Sequence, residues 1–343
     1  MSVKLNDNMV LDNYSKPYIV AEVNTSHFGD ISKAKEMILT LKGLGCDCVK
    51  FQSWTADTLY SESYFKENPI AKRFFTKFSF DSVELKELSD FSRQNEISFA
   101  STPYSTEEVD FLADVCDVPF LKVASMDINN LNFLKYIAGK NKPIILSTGM
   151  SSFEEIDQAV ETIENCGNSD ICILHCVSIY PTAEEDINLN NILGLRERYS
   201  SYPIGFSDHT SSIEAAIASV ALGAAVVEKH FTLDSSKIGM DNQMALESED
   251  MSKLVEFCQS THISLGSTSR RVSEKEEIQK KEMRRSLIAT RKINKGDIIK
   301  QEDLSSKRPG TGIPPPKMDL LIGKVCDRDI LEGELIPSEM LET

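Results

Sequence analysis

Eight times along this 343-residue chain a short apolar, β-branched run stops at a polar or charged residue: 18–23, 46–52, 98–103, 120–125, 143–149, 171–178, 203–210 and 225–232. Continuous apolar runs of this length suit strands buried on both faces of a parallel sheet. Stretches with helical spacing separate most of them, for example 31–44, 152–165 and 211–223. Eight strand–helix units in series predict an α/β fold, a (β/α)8 TIM barrel, whose active site is built at the C-terminal ends of the strands. The residues at those ends are Glu22, Lys50, Gln52, Ser101, Thr102, Lys122, Ser125, Ser147, Thr148, His175, Ser207, Asp208, His209, Lys229 and His230. A polar, anion-friendly and metal-capable crown on an apolar frame reads as an enzyme.

Composition narrows the partners. No apolar run approaches the roughly 18 residues of a membrane span, and residues 1–10 lack the layout of a signal peptide, so a cytoplasmic location is expected. The eight cysteines form no C-x-x-C pair and several lie inside proposed strands; buried free thiols of a reducing compartment are expected. A net charge of −16 argues against nucleic acid and anionic membranes as partners.

The barrel domain is expected over 1–265, with 1–17 as a hairpin cap turning at Asn6-Asp7-Asn8 and plugging the barrel bottom. A long insertion, 53–80, carries Trp54, Tyr60, Tyr64, Phe65, Phe74, Phe75 and Phe78. It reads as a wall or lid of the site, a satellite core, or a dimer contact. Residues 266–285 are polar and read as a linker or exposed helix. A small β-rich module follows over 286–343, with strand-like pieces at 287–289, 297–299 and 324–326. Turn signals at Asn294-Lys295-Gly296-Asp297 and Glu332-Gly333-Glu334 punctuate it, and Arg308-Pro309-Gly310-Thr311-Gly312 opens a stiff loop. About 58 residues is near the lower limit for an independent core, so this module is expected to lean on something else.

His209 and His230 end the seventh and eighth strands, and adjacent strands lie roughly 4.8 Å apart. Two imidazoles so placed reach one divalent ion at the barrel mouth, with water and substrate oxygens filling its remaining positions, a Lewis-acid arrangement. For His175 and His262 the structural reading wins. Lys50 and Lys122 end the second and fourth strands, and a buried ammonium demands a partner. That partner is an anionic ligand, or else Glu22, Asp127 or Asp208. Ser101-Thr102, Ser125 and Ser147-Thr148-Gly149 add hydroxyls and a tight turn suited to a carboxylate and a phosphate. Glu22 and Asp241 are placed to orient hydroxyls or move protons, and equally to pair with the lysines.

Lys50-Phe51-Gln52, Ser101-Thr102-Pro103, Lys122-Val123-Ala124-Ser125, Leu146-Ser147-Thr148-Gly149-Met150, Tyr180-Pro181-Thr182, Gly205-Phe206-Ser207-Asp208-His209-Thr210 and Glu228-Lys229-His230-Phe231 stand in the order found in sialic acid (N-acetylneuraminate) synthases. The tail, with Arg308-Pro309-Gly310, resembles their C-terminal antifreeze-like (SAF) domain. There is also some likeness to the spore-coat polysaccharide branch. The resemblance implies condensation of phosphoenolpyruvate with N-acetylmannosamine or a related N-acylated amino sugar, releasing phosphate. It implies His209 and His230 as ligands of a divalent metal, Mn²⁺ with Mg²⁺ or Co²⁺ as substitutes. Lys50, Thr102, Lys122, Ser125, Ser147 and Ser207 would contact phosphoenolpyruvate, and Glu22, Gln52, Asp127, Tyr180 and Asp241 would face the sugar. Glu22, Lys50, Lys122, Asp241 and Arg308 would carry catalysis. Arg308 resembles the arginine that the SAF domain inserts into the active site of the other protomer, where it would touch both substrates. A domain-swapped homodimer would then supply the area that the small module lacks.

Three departures fall on the sugar side. The usual Ala-Glu-Ile-Gly-x-Asn-His-Asn-Gly reads Ala21-Glu22-Val23-Asn24-Thr25-Ser26-His27-Phe28-Gly29; Ser-Gly-Glu reads Ser125-Met126-Asp127; Gly-Pro-Asp-His reads Gly239-Met240-Asp241-Asn242. Rival readings are a barrel aldolase with Lys122 or Lys229 as Schiff base, a synthase of seven- or eight-carbon sugar acid phosphates, and a non-catalytic sugar-binding relative.

Overall fold

A computed structural model describes residues 2–6 and 9–341. The chain divides into two compact units, Met1–Gly266 and Ser267–Thr343.

The first unit opens on an antiparallel hairpin, β1 (Val3–Asn6) and β2 (Met9–Leu11). Asp7 and Asn8 of the expected turn lie outside the described residues. Eight parallel strands follow: β3 (Tyr18–Glu22), β4 (Cys48–Gln52), β5 (Ser98–Thr102), β6 (Leu121–Val123), β7 (Ile144–Ser147), β8 (Ile171–Cys176), β9 (Ile204–Asp208) and β10 (Val226–His230). Each lies within one of the eight apolar runs. Their order in the sheet is β5-β4-β3-β10-β9-β8-β7-β6, a nearly closed barrel whose hydrogen-bonded ladder opens between β5 and β6. The register sets the mouth level: His230 stands opposite Glu22, Glu22 opposite Lys50, and Gln52 opposite Thr102.

Alternation along the strands sorts the side chains into two cores. Ile19, Val49, Leu121, Ile144, Ile173, Phe206 and Val227 belong to the outer core, packed with helix residues such as Met37, Leu41, Leu134 and Ile163. Val20, Cys48, Ala100, Ile145, Leu174 and Val226 belong to the inner one. Val3, Leu5 and Leu11 of the hairpin join that inner cluster and close the barrel bottom; each such buried side chain contributes about 1.5–3 kcal/mol. The helix Ile31–Leu44 shows how the outer layer is punctuated: Asp30 accepts from the amides of Ser32 and Lys33, and Gly45, at φ +84°, ends it.

The 53–80 insertion folds as three short helices, Ala56–Leu59, Glu62–Glu67 and Pro69–Phe78. Trp54, Ala56, Phe65, Phe75 and Phe78 bury one another there, with Phe28 and Tyr104 packed against them. Of the three roles open to these aromatics, the structure displays the satellite core. All eight cysteines are free thiols, and Cys166 is the exposed one.

In the second unit, the stretch read as a linker or exposed helix contains the helix Glu274–Met283, capped by Ser273 and burying no residue. β11 (Ser286–Ala289) pairs antiparallel with β12 (Leu304–Lys307). The pieces expected at 297–299 and 324–326 meet in a single bridge, Ile298 to Val325. Leu287, Ile293, Ile299, Ile313, Leu321, Cys326, Ile330 and Ile336 form this unit's own small core. Among the described residues no helix is long and apolar enough to cross a membrane.

Candidate active site

The inner alternation carries past the apolar layer to the mouth. Glu22, Lys50, Thr102, Lys122, Ser147, Ser207, His209, Glu228 and His230 all fall on the inner parity, and all are buried. Asp208 and Lys229 share their parity with Phe206 and Val227 and belong to the outer layer. There Lys229 donates to Asp208 Oδ2 (2.8 Å), the Thr210 carbonyl (2.6 Å) and Thr210 Oγ1 (3.0 Å), a closed structural pair. His175 is outer as well, stacked on Phe206 with Nε2 on the Ile187 carbonyl (2.7 Å), as the structural reading requires. Ser101 also turns away from the mouth and bonds Ser53 Oγ (2.5 Å).

Lys50 is the hub of one cluster. Its Nζ pairs with Glu22 Oε2, donates to Thr102 Oγ1 (3.3 Å) and lies 3.5 Å from Glu228 Oε1, which also accepts from Ser207 Oγ (3.2 Å). Glu22 is thus the structural partner that the sequence allowed for Lys50. Glu228 is a second one that the strand-end reading missed, although inner parity with His230 points to it. Burial, reinforced by Glu228 and only partly offset by Lys50, raises the Glu22 carboxyl to about 7. Glu228 titrates below the ordinary range: burial opposes this, and Lys50, Lys122 and His209 outweigh it.

Lys122 differs. Its Nζ donates to Ser147 Oγ (2.6 Å) and the Val123 carbonyl (3.0 Å), both neutral, and among the described residues it forms no ion pair. Burial lowers its pKa. Beside it the Gly149 amide donates to Ser125 Oγ (3.0 Å), and a Cβ on Gly149 would stand 2.8 Å from that oxygen. Ser125 and Cys176 Sγ are 3.6 Å apart. Neither Glu22 nor Asp127 nor Asp208 forms an ion pair with Lys122 among the described residues; its main electrostatic support is Glu228, which acts on it without a direct contact.

The histidines form a third cluster. The His209 and His230 ring centroids are 5.4 Å apart, and the Tyr180 ring lies 4.3 Å from that of His209. His209 Nδ1 meets the Val177 carbonyl at 2.7 Å. A carbonyl only accepts, so Nδ1 carries the proton and Nε2 keeps its lone pair. Burial holds His230 well below its ordinary pKa and therefore neutral. Burial opposes protonation of His209 too, but Cys176 and the Val177 carbonyl outweigh it and raise its pKa; two imidazoles on neighbouring strands, His209 in its neutral form, fit a divalent cation. Among the described residues no group of three or more His, Cys, Asp and Glu side chains is placed to hold a metal ion. Asp241 Oδ2 is 4.0 Å from His230 Nδ1 and accepts from Asn24 Nδ2; burial raises its carboxyl.

Next to these, Gln52 Oε1 accepts from Tyr104 OH (2.9 Å) and Trp54 Nε1 (3.1 Å), which fixes the amide with its N–H₂ uncommitted to either. Asp127 is half-buried on a 3₁₀ turn after β6, and Tyr180 is half exposed. Asn24, which stood in the sequence only as part of a motif departure with no role given, and Tyr104, which was unremarked, sit on loops where no periodicity flags a residue.

Arg308 belongs to the second unit and is exposed there. Its loop is fastened from below: Ser286 Oγ donates to the Pro309 carbonyl (2.7 Å) and accepts from the Gly312 amide (2.8 Å), and the Gly310 amide donates to the Lys281 carbonyl (2.8 Å).

The model of the NeuB family matches residues 37–270, and that of the SAF domain residues 284–342. The N,N'-diacetyllegionaminic acid synthase of Legionella pneumophila is 34% identical over 340 residues, covering 95% of this chain and 94% of that protein. The crystal structure of the sialic acid synthetase of Leptospira borgpetersenii is 31% identical, with a TM-score of 0.75, over 81% of this chain and 95% of that one. The spore coat polysaccharide biosynthesis protein SpsE of Bacillus subtilis is 30% identical, with a TM-score of 0.69, over 98% of both chains.

Proposed function

This chain belongs to the NeuB family, with a SAF domain at its C-terminal end, and from that premise we propose that it condenses phosphoenolpyruvate with an N-acylated amino sugar, N-acetylmannosamine or a relative, and releases phosphate. The family is one of synthases that act as transferases; the choice of acceptor and the metal dependence are our reading. Lys122 carries it: a buried ammonium whose hydrogen-bond partners are one hydroxyl and one carbonyl, with no carboxylate in direct contact, is poised for an anion in the barrel mouth. Lys50 is paired with Glu22 and lies near Glu228, whereas Lys122 lacks a direct carboxylate contact, so the place for an anion in the mouth is beside Lys122.

In this mechanism Lys50, Lys122, Arg308 and the hydroxyls of Thr102, Ser125, Ser147 and Ser207 hold the carboxylate and phosphate of phosphoenolpyruvate. Gln52, Asp127, Tyr180 and Asp241 orient the sugar's hydroxyl and acylamino groups. C3 of phosphoenolpyruvate attacks the aldehyde carbon, forming the new C–C bond, and the aldehyde oxygen takes up a proton. Water adds at C2 and loses one proton, and the tetrahedral centre expels phosphate together with its bridging oxygen, the remaining hydroxyl proton passing to the departing phosphate, leaving a 2-keto acid. Glu22, poised near neutrality, moves these protons, and the fixed lysines stabilise the charge without reorganising. A divalent ion held by His209 and His230, Mn²⁺ or in its place Mg²⁺ or Co²⁺, would supply Lewis-acid polarisation of the aldehyde oxygen. Arg308 would come from the SAF domain of a second copy in a swapped homodimer.

The test is phosphate release from phosphoenolpyruvate with Mn²⁺ across N-acetylmannosamine and 2,4-diacetamido trideoxy sugars, with and without EDTA. Chelator-sensitive release with one acceptor supports the reading. No release with any acceptor refutes it.

A further inference from the structure

Between β3 and the helix Ile31–Leu44, one residue links two carboxylates of the mouth. Asn24 is 5% exposed and adopts φ +28°, in the left-handed region that glycine occupies freely and asparagine tolerates. Its backbone N–H donates to Glu22 Oε1 (2.7 Å), and its side-chain Nδ2 donates to Asp241 Oδ2. Glu22 ends β3, whereas Asp241 lies on the segment after β10, more than 200 residues away in sequence.

That segment is fastened independently of Asn24. Asn242, fully buried, accepts from Thr232 Oγ1 (2.5 Å) and donates to the carbonyls of Asp234 and Lys237 (2.8 Å each). Asn242 therefore fixes the backbone that carries Asp241, and Asn24 fixes the carboxylate itself. Among the described residues no lysine or arginine pairs with Asp241; its recorded partners are Asn24 and, at 4.0 Å, His230, both on the Oδ2 side. The second oxygen, Oδ1, is left for something else. The Asn24 Oδ1 and Thr25 Oγ1 atoms are buried with no hydrogen-bond partner among the described residues.

We propose that Asn24 is a positioning residue for the acceptor: by holding Asp241 Oδ2 it aims Asp241 Oδ1 at one hydroxyl or N–H donor of the amino sugar, and so sets which acceptors bind. The proposal rests on the reading above in which Asp241 faces the sugar. It predicts a selective effect, because Asn24 touches neither Lys50 nor Lys122.

The experiment is steady-state phosphate release by the full-length protein with Mn²⁺, varying acceptor and phosphoenolpyruvate in turn, for wild type, Asn24→Gly, Asp241→Asn and the double variant. Glycine keeps the positive φ and deletes the amide. The acceptor KM of Asn24→Gly should rise about tenfold, the effect of one lost hydrogen bond to a charged group, with the phosphoenolpyruvate KM within about twofold of wild type. In the Asp241→Asn background the same change should add less than about twofold, since contacting pairs are non-additive. Asn24→Asp, nearly isosteric, should raise the same KM at pH 8 and guards against misfolding of the glycine variant. Equal changes in both KM values, or full additivity in the double variant, overturn the positioning role and leave the functional reading intact. Wild-type protein that neither turns over nor binds any acceptor by calorimetry overturns both.

Discussion

Lys122 and Lys229 are both buried lysines on barrel strands, yet they belong to different regions of the molecule. Lys229, on the outer parity, is closed off by Asp208 and two acceptors on Thr210. Lys122, on the inner parity, has only a serine hydroxyl and a carbonyl. The same contrast separates His175, spent on a backbone carbonyl beside Phe206, from His209, whose Nε2 remains available. Lys229 and His175 of the outer layer are fully committed to protein partners, whereas Lys122 and His209 of the inner ring are not, although Lys50 beside them is paired with Glu22. Unsatisfied or uncompensated groups inside a close-packed frame are where binding energy is kept in reserve, and they separate the site from its scaffold more sharply than residue type does.

This contrast can be broken by exchanging the expected phenotypes. The largest effect should come from Lys122→Met, which lowers kcat/KM for phosphoenolpyruvate by about 1000-fold, the scale of a lost charge-stabilising donor, and leaves the urea midpoint unchanged or higher. Lys229→Met should do the reverse: it strands a buried Asp208 and costs about 3–5 kcal/mol of stability, read from urea unfolding, while whatever remains folded keeps its KM for phosphoenolpyruvate. His209→Ala should weaken Mn²⁺ binding by on the order of 100-fold in a calorimetric titration, whereas His175→Ala leaves metal affinity within about twofold.

The smallest effect concerns pH. The folded-state pKa of Glu22, about 7, lies above its ordinary value, so the folded protein binds the extra proton. Its contribution to stability is complete below the ordinary carboxylate range and is lost as pH rises through about 7. Glu22→Gln should flatten that decline and remove an ionisation near pH 7 from the kcat/KM profile. A wild-type profile with no inflection between pH 6 and 8 would contradict the assignment.

The eight strands and the barrel were legible because buried parallel strands must be written as apolar runs, and all eight lie within the runs read from sequence. The catalytic parity was also in the sequence: 226, 228 and 230 alternate with 227 and 229. Reading only strand ends grouped Lys229 with Lys50 and passed over Glu228. Asn24 stood inside a motif departure, but its contact with Asp241 was not legible, because a loop residue bridging β3 to the segment after β10 leaves no periodic trace. Likewise β12, Leu-Ser-Ser-Lys, is made a strand by pairing with β11 rather than by its own pattern. The aromatic insertion announced a hydrophobic cluster, but whether those rings covered the mouth or packed on one another was a question of tertiary contact.

Oxygen labelling decides the course of the condensation. Phosphoenolpyruvate carrying ¹⁸O in the bridging C2–O position is turned over with the accepted amino sugar, and the released phosphate is examined by ³¹P NMR. Attack of water at C2 with C–O cleavage places the label in inorganic phosphate. Label retained in the keto acid would mean cleavage at phosphorus, and the roles given to Lys50, Lys122 and Glu22 would then be wrong.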